Sequence, residues 1–135
     1  MQEKLRVLIV DDSEIVSERI KRLLVESHYI HVIGEAMNSR SAMYLLHHKL
    51  PDAVLLDIRV NEERGAGLLS FLKRINIKVI VLSNCTEPYY RKLCMKSGAD
   101  YFFDKSTEFE KIPEVLNAIF NSGIKEINMN ENPNY

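Results

Sequence analysis

Two kinds of apolar pattern alternate along this chain: short continuous runs, and longer stretches in which apolar residues recur at helical spacing. The runs are Leu5–Val10, Ile30–Ala36, Ala53–Asp57, Lys78–Leu82 and a short Asp100–Phe103. Segments this apolar read as strands covered on both faces, as in a parallel sheet flanked by helices. Between the runs the repeat changes to three and four. Val16, Ile20, Leu23 and Leu24 share one helical face behind Ser13, a good N-cap residue. Ala42, Leu45 and Leu46 follow a cap at Asn38 or Ser39, and Pro51 marks the stop. Leu68, Leu69 and Leu72 form a third face, after a loop that holds Gly65 and Gly67.

A fourth helix is expected from Pro88, which suits a first helical turn, to Gly98, which suits a helix end. Its stripe is the weakest, with Leu93 and Cys94 expected inward. The fifth carries Ile112, Val115, Leu116, Ile119 and Phe120, with Gly123 as its expected C′ residue. Five strand–helix units in series predict a doubly wound parallel α/β sheet. The expected organisation is one domain over 1–123 and a polar, Asn-rich, flexible tail over 124–135.

Composition narrows the function classes. Hydrophobic residues make up 46% and charged residues 27%, ordinary values for a soluble globular domain, and 135 residues allow a proper core. A net charge of −1 argues against nucleic-acid or membrane-surface binding through bulk electrostatics. No stretch approaches a membrane span or a signal-peptide core, and Cys85 and Cys94 form no CxxC pair. A cytoplasmic protein with reduced thiols is expected. His28 and His31, and the adjacent His47 and His48, read as loop or surface residues rather than metal ligands.

The chemistry gathers at strand ends. Asp57 closes the third apolar run, Asp11 and Asp12 follow the first, Ser83 follows the fourth and Lys105 the fifth. In open α/β sheets ligands bind beyond the carboxyl ends of the strands. Three like charges near one point call for a divalent cation. Mg²⁺ takes one or two carboxylates together with phosphate oxygens, so the set suits phosphoryl transfer onto a carboxylate, with Lys105 and Ser83 holding phosphoryl oxygens.

This ordered set resembles the receiver domain of two-component response regulators. The resemblance rests on the acidic pair, on Leu55-Leu56-Asp57-Ile58-Arg59, on Gly65, on Val81-Leu82-Ser83-Asn84, and on the segment from Gly98 to Ser106 around Lys105. It covers about Leu5 to Phe120 and implies a flavodoxin-like (βα)5 sandwich with strand order 2-1-3-4-5. It further implies Asp57 as phospho-acceptor, with Asp11, Asp12, Asp57 and the carbonyl of Arg59 as Mg²⁺ ligands. Ser83 and Lys105 would contact the phosphoryl group, and Ser83 with Phe102 would form the switch.

The implied partners are a sensor histidine kinase or histidine phosphotransfer protein and a downstream protein target. Neither direct nucleic-acid binding nor membrane association is expected. The chain would be a signalling domain, not an enzyme, its chemistry limited to its own phosphorylation and dephosphorylation. The fourth helix, fifth strand and fifth helix would form the output face, with Tyr89 and Tyr90 as part of it.

Several positions depart from the family pattern. Asn61 stands where Pro is common. Ser106 follows Lys105 where Pro is usual, often after a cis bond; a cis bond before a non-proline costs roughly 3 kcal/mol, so this peptide should be trans or strained. Phe102 replaces the commoner tyrosine, and Tyr101 should face the other way. The residues after Phe120 are too few for an output domain. A stand-alone switch, a phosphorelay intermediate, a phosphate-independent scaffold and a receiver cut from a longer regulator all remain open. An aspartate-nucleophile phosphatase would need an acid at position 59, where Arg59 stands. A flavin or nucleotide module would need a phosphate-cradling loop where Asp-Asp-Ser-Glu stands.

Overall fold

The computed structural model describes residues 4–58, 63–85 and 87–131. Five strands alternate with five helices: β1 (Leu5–Val10), α1 (Glu14–Leu24), β2 (Ile30–Ala36), α2 (Ser39–His48), β3 (Ala53–Asp57), α3 (Glu63–Arg74), β4 (Lys78–Ser83), α4 (Pro88–Lys96), β5 (Tyr101–Asp104) and α5 (Lys111–Glu131). The strands form one parallel sheet in the order β2-β1-β3-β4-β5, the expected one.

Alternation along each strand divides the core into two layers. Leu8, Val10, Val54, Leu56, Val79, Val81 and Phe102 face α2, α3 and α4. Val7, Ile9, Leu55, Ile80, Leu82 and Phe103 face α1 and α5, where Ile20, Ile112 and Leu116 are completely buried. Tyr101 packs on this second layer, opposite to Phe102, as the period of two requires.

The helix starts follow the sequence signals. The Ser13 hydroxyl accepts from Val16 N at 3.3 Å, and Asn38 forms a reciprocal capping box with Ser41. Helix α4 starts at Pro88 and ends just before Gly98, whose φ of +116° is the left-handed conformation glycine tolerates. A Cβ there would lie 2.6 Å from Lys73 Cγ.

Three expectations are corrected. Gly65 and Gly67 lie inside α3 rather than in a loop before it. Helix α5 runs through Gly123 to Glu131, because glycine costs a helix interior only about 1 kcal/mol and Gly123 does not adopt a positive φ. In α4 the inward pair is Tyr90 and Cys94, one turn apart, while Leu93 is 46% exposed.

At the amino ends of the strands two aspartates tie neighbours together. Asp52 accepts from Arg6 N at 2.8 Å and pairs with the Arg6 guanidinium. Asp100 accepts from Val79 N at 2.8 Å and from Lys73 Nζ at 2.6 Å. Asp100→Ala removes a charge-assisted bond and leaves a strand amide without its partner, an expected loss of about 2 kcal/mol. Urea unfolding should show it as a lower midpoint with an unchanged slope.

Candidate functional site

The sheet delivers its reactive side chains to one rim through ladder bonds that continue past the strands. Asp11 N donates to Ala36 O at 2.9 Å, Ile58 N to Leu82 O at 3.3 Å, and Lys105 N to Ser83 O at 2.9 Å. Backbone pairing therefore fixes Asp11, the exit of Asp57, and Lys105 relative to one another. Asp11 is oriented further by its Oδ1, which accepts from Ser13 N at 2.8 Å in an Asx turn. Ser83 is 1% exposed, and its hydroxyl accepts from Cys85 N at 3.0 Å.

Lys105 bridges two carboxylates. Its Nζ lies 2.6 Å from Asp11 Oδ2 and 3.0 Å from Asp57 Oδ1, and all three side chains are nearly buried. The contact to Asp11 is short but badly directed for a hydrogen bond, so Asp11 Oδ2 is a buried carboxylate oxygen without a directed donor. Burial pushes the Asp57 carboxyl above the ordinary carboxylate range; the Lys105 hydrogen bond and charge pull it back, and the charges of Asp11 and Asp12 add to the rise.

Ligand oxygens of Asp11, Asp12 and Asp57 lie within 4.8 Å of one another, the one such grouping among the described residues. With the undirected oxygen of Asp11, this donor set fits a hard cation with oxygen ligands. The Arg59 carbonyl expected to complete it lies outside the described residues, as does Asn61. All four histidines are exposed and stand apart from this cluster.

The rim opens into a crevice of about 650 Å³ lined by Asp12, Asp57, Ser83, Lys105, Arg19 and Phe109. Arg19 stacks 4.2 Å above the Phe109 ring, and Ile15 lines the same crevice while 80% exposed. Sequence reasoning missed these three. Ile15 and Arg19 lie off the Val16–Ile20 stripe, and an exposed isoleucine one turn past an acidic pair was the available signal.

On the far side of β5, Phe102 is only 5% exposed. Tyr90 meets its ring edge-on at 6.1 Å between centroids. The Arg91 guanidinium sits 5.2 Å from the same ring and donates to Phe102 O at 2.8 Å. The Lys105–Ser106 peptide is trans, since no described peptide is cis. In place of proline, Asp104 holds the turn: its Oδ1 accepts from Ser106 N and Oγ and its Oδ2 from Thr107 Oγ1, bonds that keep its carboxyl below the usual range.

Comparison with known proteins identifies this arrangement. The model of the response regulator receiver domain matches residues 7–117. The chain belongs to the response-regulator receiver family. It is 32% identical to the chemotaxis protein CheY of Thermotoga maritima over 116 residues, 84% of this chain and 96% of that protein. It is 27% identical to the response regulator GacA of Pseudomonas aeruginosa, over 86% of this chain and 55% of GacA. The chain thus spans about half the length of curated relatives such as GacA. Among solved structures, the receiver domain of the response regulator NarL from Mycobacterium tuberculosis superposes with a TM-score of 0.74 at 32% identity, covering 87% of this chain and 97% of that one.

Receiver domains of response regulators are phosphorylated by histidine kinases and typically bind Mg²⁺ at an acidic pocket. The five-stranded flavodoxin-like order agrees with this membership. No helix among the described residues is long and apolar enough to cross a membrane.

Proposed function

We propose that this receiver is a phospho-accepting switch in which Asp57 takes a phosphoryl group from the phosphohistidine of a sensor kinase or a histidine phosphotransfer protein. The observation that carries this reading is Lys105, held against both Asp57 and Asp11 at the rim of an open crevice. A carboxylate stripped of water beside a fixed cation is a ready nucleophile. An Asp57 oxygen forms a bond to phosphorus as the bond from phosphorus to the imidazole nitrogen breaks, and that nitrogen keeps the electron pair. The product is an acyl phosphate, and Lys105 then pairs with its oxygens.

Asp11, Asp12, Asp57 and the Arg59 carbonyl are the residues that would hold Mg²⁺. When bound, the ion offsets the repulsion between the acidic pair and the incoming phosphoryl group. Ser83 turns its hydroxyl from the Cys85 amide to donate to the new dianion. Phe102 forms the switch with it, from the interior position it already occupies. The responding face is α4, β5 and α5; Arg91 of α4 reaches Phe102 O of β5 and lies 3.7 Å from Glu108, in the segment that leads into α5. The exposed Ile15 offers an incoming phosphodonor an apolar contact beside the crevice. The receiver unit is taken as 1–123 and the setting as the cytoplasm, with a protein rather than a nucleic acid as the downstream target.

The test is incubation with acetyl phosphate and Mg²⁺, followed by intact-mass measurement. Incorporation of one phosphoryl group, lost when EDTA is present and removed by hydroxylamine as expected of an acyl phosphate, is the predicted outcome. Absence of incorporation together with absence of beryllofluoride binding would leave a phosphate-independent scaffold.

A further inference from the structure

Tyr90 is the buried polar group whose role the acceptor chemistry leaves unexplained. It sits in the first turn of α4 with 8% exposure, and its hydroxyl points into the protein rather than toward solvent. That hydroxyl donates to the carbonyl of Ile58, the residue directly after Asp57, at 3.4 Å. The bond to Ile58 is long for an O–H donor, and therefore weak and easily exchanged.

The position of this acceptor matters. Ile58 continues the strand that carries the acceptor, and its amide is itself held by Leu82 O beside Ser83. Tyr90 belongs to the helix of the responding face. A displacement at the end of β3 or β4 changes the distance from Ile58 O to the Tyr90 hydroxyl and so strengthens or weakens this bond between strand and helix. Phe102, by contrast, is already packed edge-on against Tyr90 and covered by Arg91. A ring that is already inside gains little by moving inward.

We infer that Tyr90 is the positioning residue that couples the acceptor end of β3 to α4, through the hydrogen bond from its hydroxyl to Ile58 O. This inference rests on the switch reading of Asp57 given above. It gives the acceptor a link to α4 through Tyr90, beside the switch formed by Ser83 and Phe102. Coupling of this kind requires that the hydroxyl bond differ in strength between the two states.

The experiment is an amide-shift titration of the full chain with beryllofluoride and Mg²⁺, on the natural sequence, on Tyr90→Phe and on Tyr89→Phe. Tyr90→Phe keeps the ring and its packing on Phe102 and removes only the hydroxyl. In the natural sequence both the residues around Asp57 and those from Tyr89 to Lys96 should shift. In Tyr90→Phe the acceptor-site shifts should persist, while those of α4 become roughly threefold smaller or vanish. Tyr89→Phe, at a position 78% exposed, should behave as the natural sequence does. Full-size α4 shifts in Tyr90→Phe, or an α4 that does not respond in the natural sequence, would overturn the coupling while leaving Asp57 as acceptor. No response anywhere in the natural sequence would remove the switch reading and the coupling with it.

Discussion

Asp57→Asn should reduce phosphoryl incorporation from acetyl phosphate to background and, at the same time, raise the melting temperature at neutral pH. The first effect follows from nucleophilicity: a carboxamide cannot form the acyl phosphate, so the rate measured by intact mass should fall by at least ~100-fold. Residual labelling of another carboxylate would remain visible as a mass gain that peptide mapping assigns elsewhere.

The second effect follows from burial. The Asp57 carboxyl is held above its ordinary range by desolvation and by Asp11 and Asp12, although Lys105 opposes the rise. The folded protein thus binds a proton at Asp57 more readily than the unfolded chain does. The associated stability is fully present below the unfolded value of 3.8 and is lost as pH rises through the folded value. At neutral pH the ionised side chain opposes folding, and asparagine relieves that opposition. The gain should shrink as pH is lowered into the carboxylate range, where Asp57 protonates anyway. A lower melting temperature for Asp57→Asn at neutral pH would mean that the Lys105 pair outweighs the burial cost.

Lys105→Met should act in the opposite sense. Asp11 and Asp57, whose side chains are 1% and 9% exposed, would lose the cation held 2.6 Å and 3.0 Å away. Removing one partner from a buried ion pair leaves the other's charge less well compensated, and here two carboxylates lose their shared cation at once. A destabilisation of about 3 kcal/mol, or about 10 °C in melting temperature, is expected at neutral pH. Acidification should narrow the gap between the variant and the natural sequence, and Mg²⁺ should narrow it at neutral pH by supplying another positive charge. Thermal melts with MgCl₂ or EDTA at two pH values separate these effects. A Lys105→Met protein as stable as the natural one would show that water screens the rim far more than its burial implies.

The sequence made the strand layer legible because each apolar run has one good partner structure, a strand covered on both faces. Their ends in Asp57, Ser83 and Lys105 then located the rim. Asp11 and Asp12 were legible for the same reason, and Ser13 and Asn38 because capping is a local property. Helix α4 was misread because its phase is set from outside. Leu93 is more apolar than Tyr90, but the face that meets β5 and Phe102 is the one carrying Tyr90 and Cys94. Gly65 and Gly67 suggested a loop, yet Leu68, Leu69 and Leu72 gain more by burial in a continuous helix than two glycines cost. The Asp104 turn that stands in for proline was invisible, because it depends on where Ser106 and Thr107 lie in space.

The order of the strands has a mechanical consequence. Asp57 belongs to β3, the middle strand, paired on both sides by β1 and β4, whereas Phe102 belongs to β5, a four-residue edge strand paired only with β4. A shift of the middle strand would tear two ladders; a shift of the edge strains one short one. The covalent event therefore falls on a strand held from both sides, and the compliant margin is where its force can become displacement.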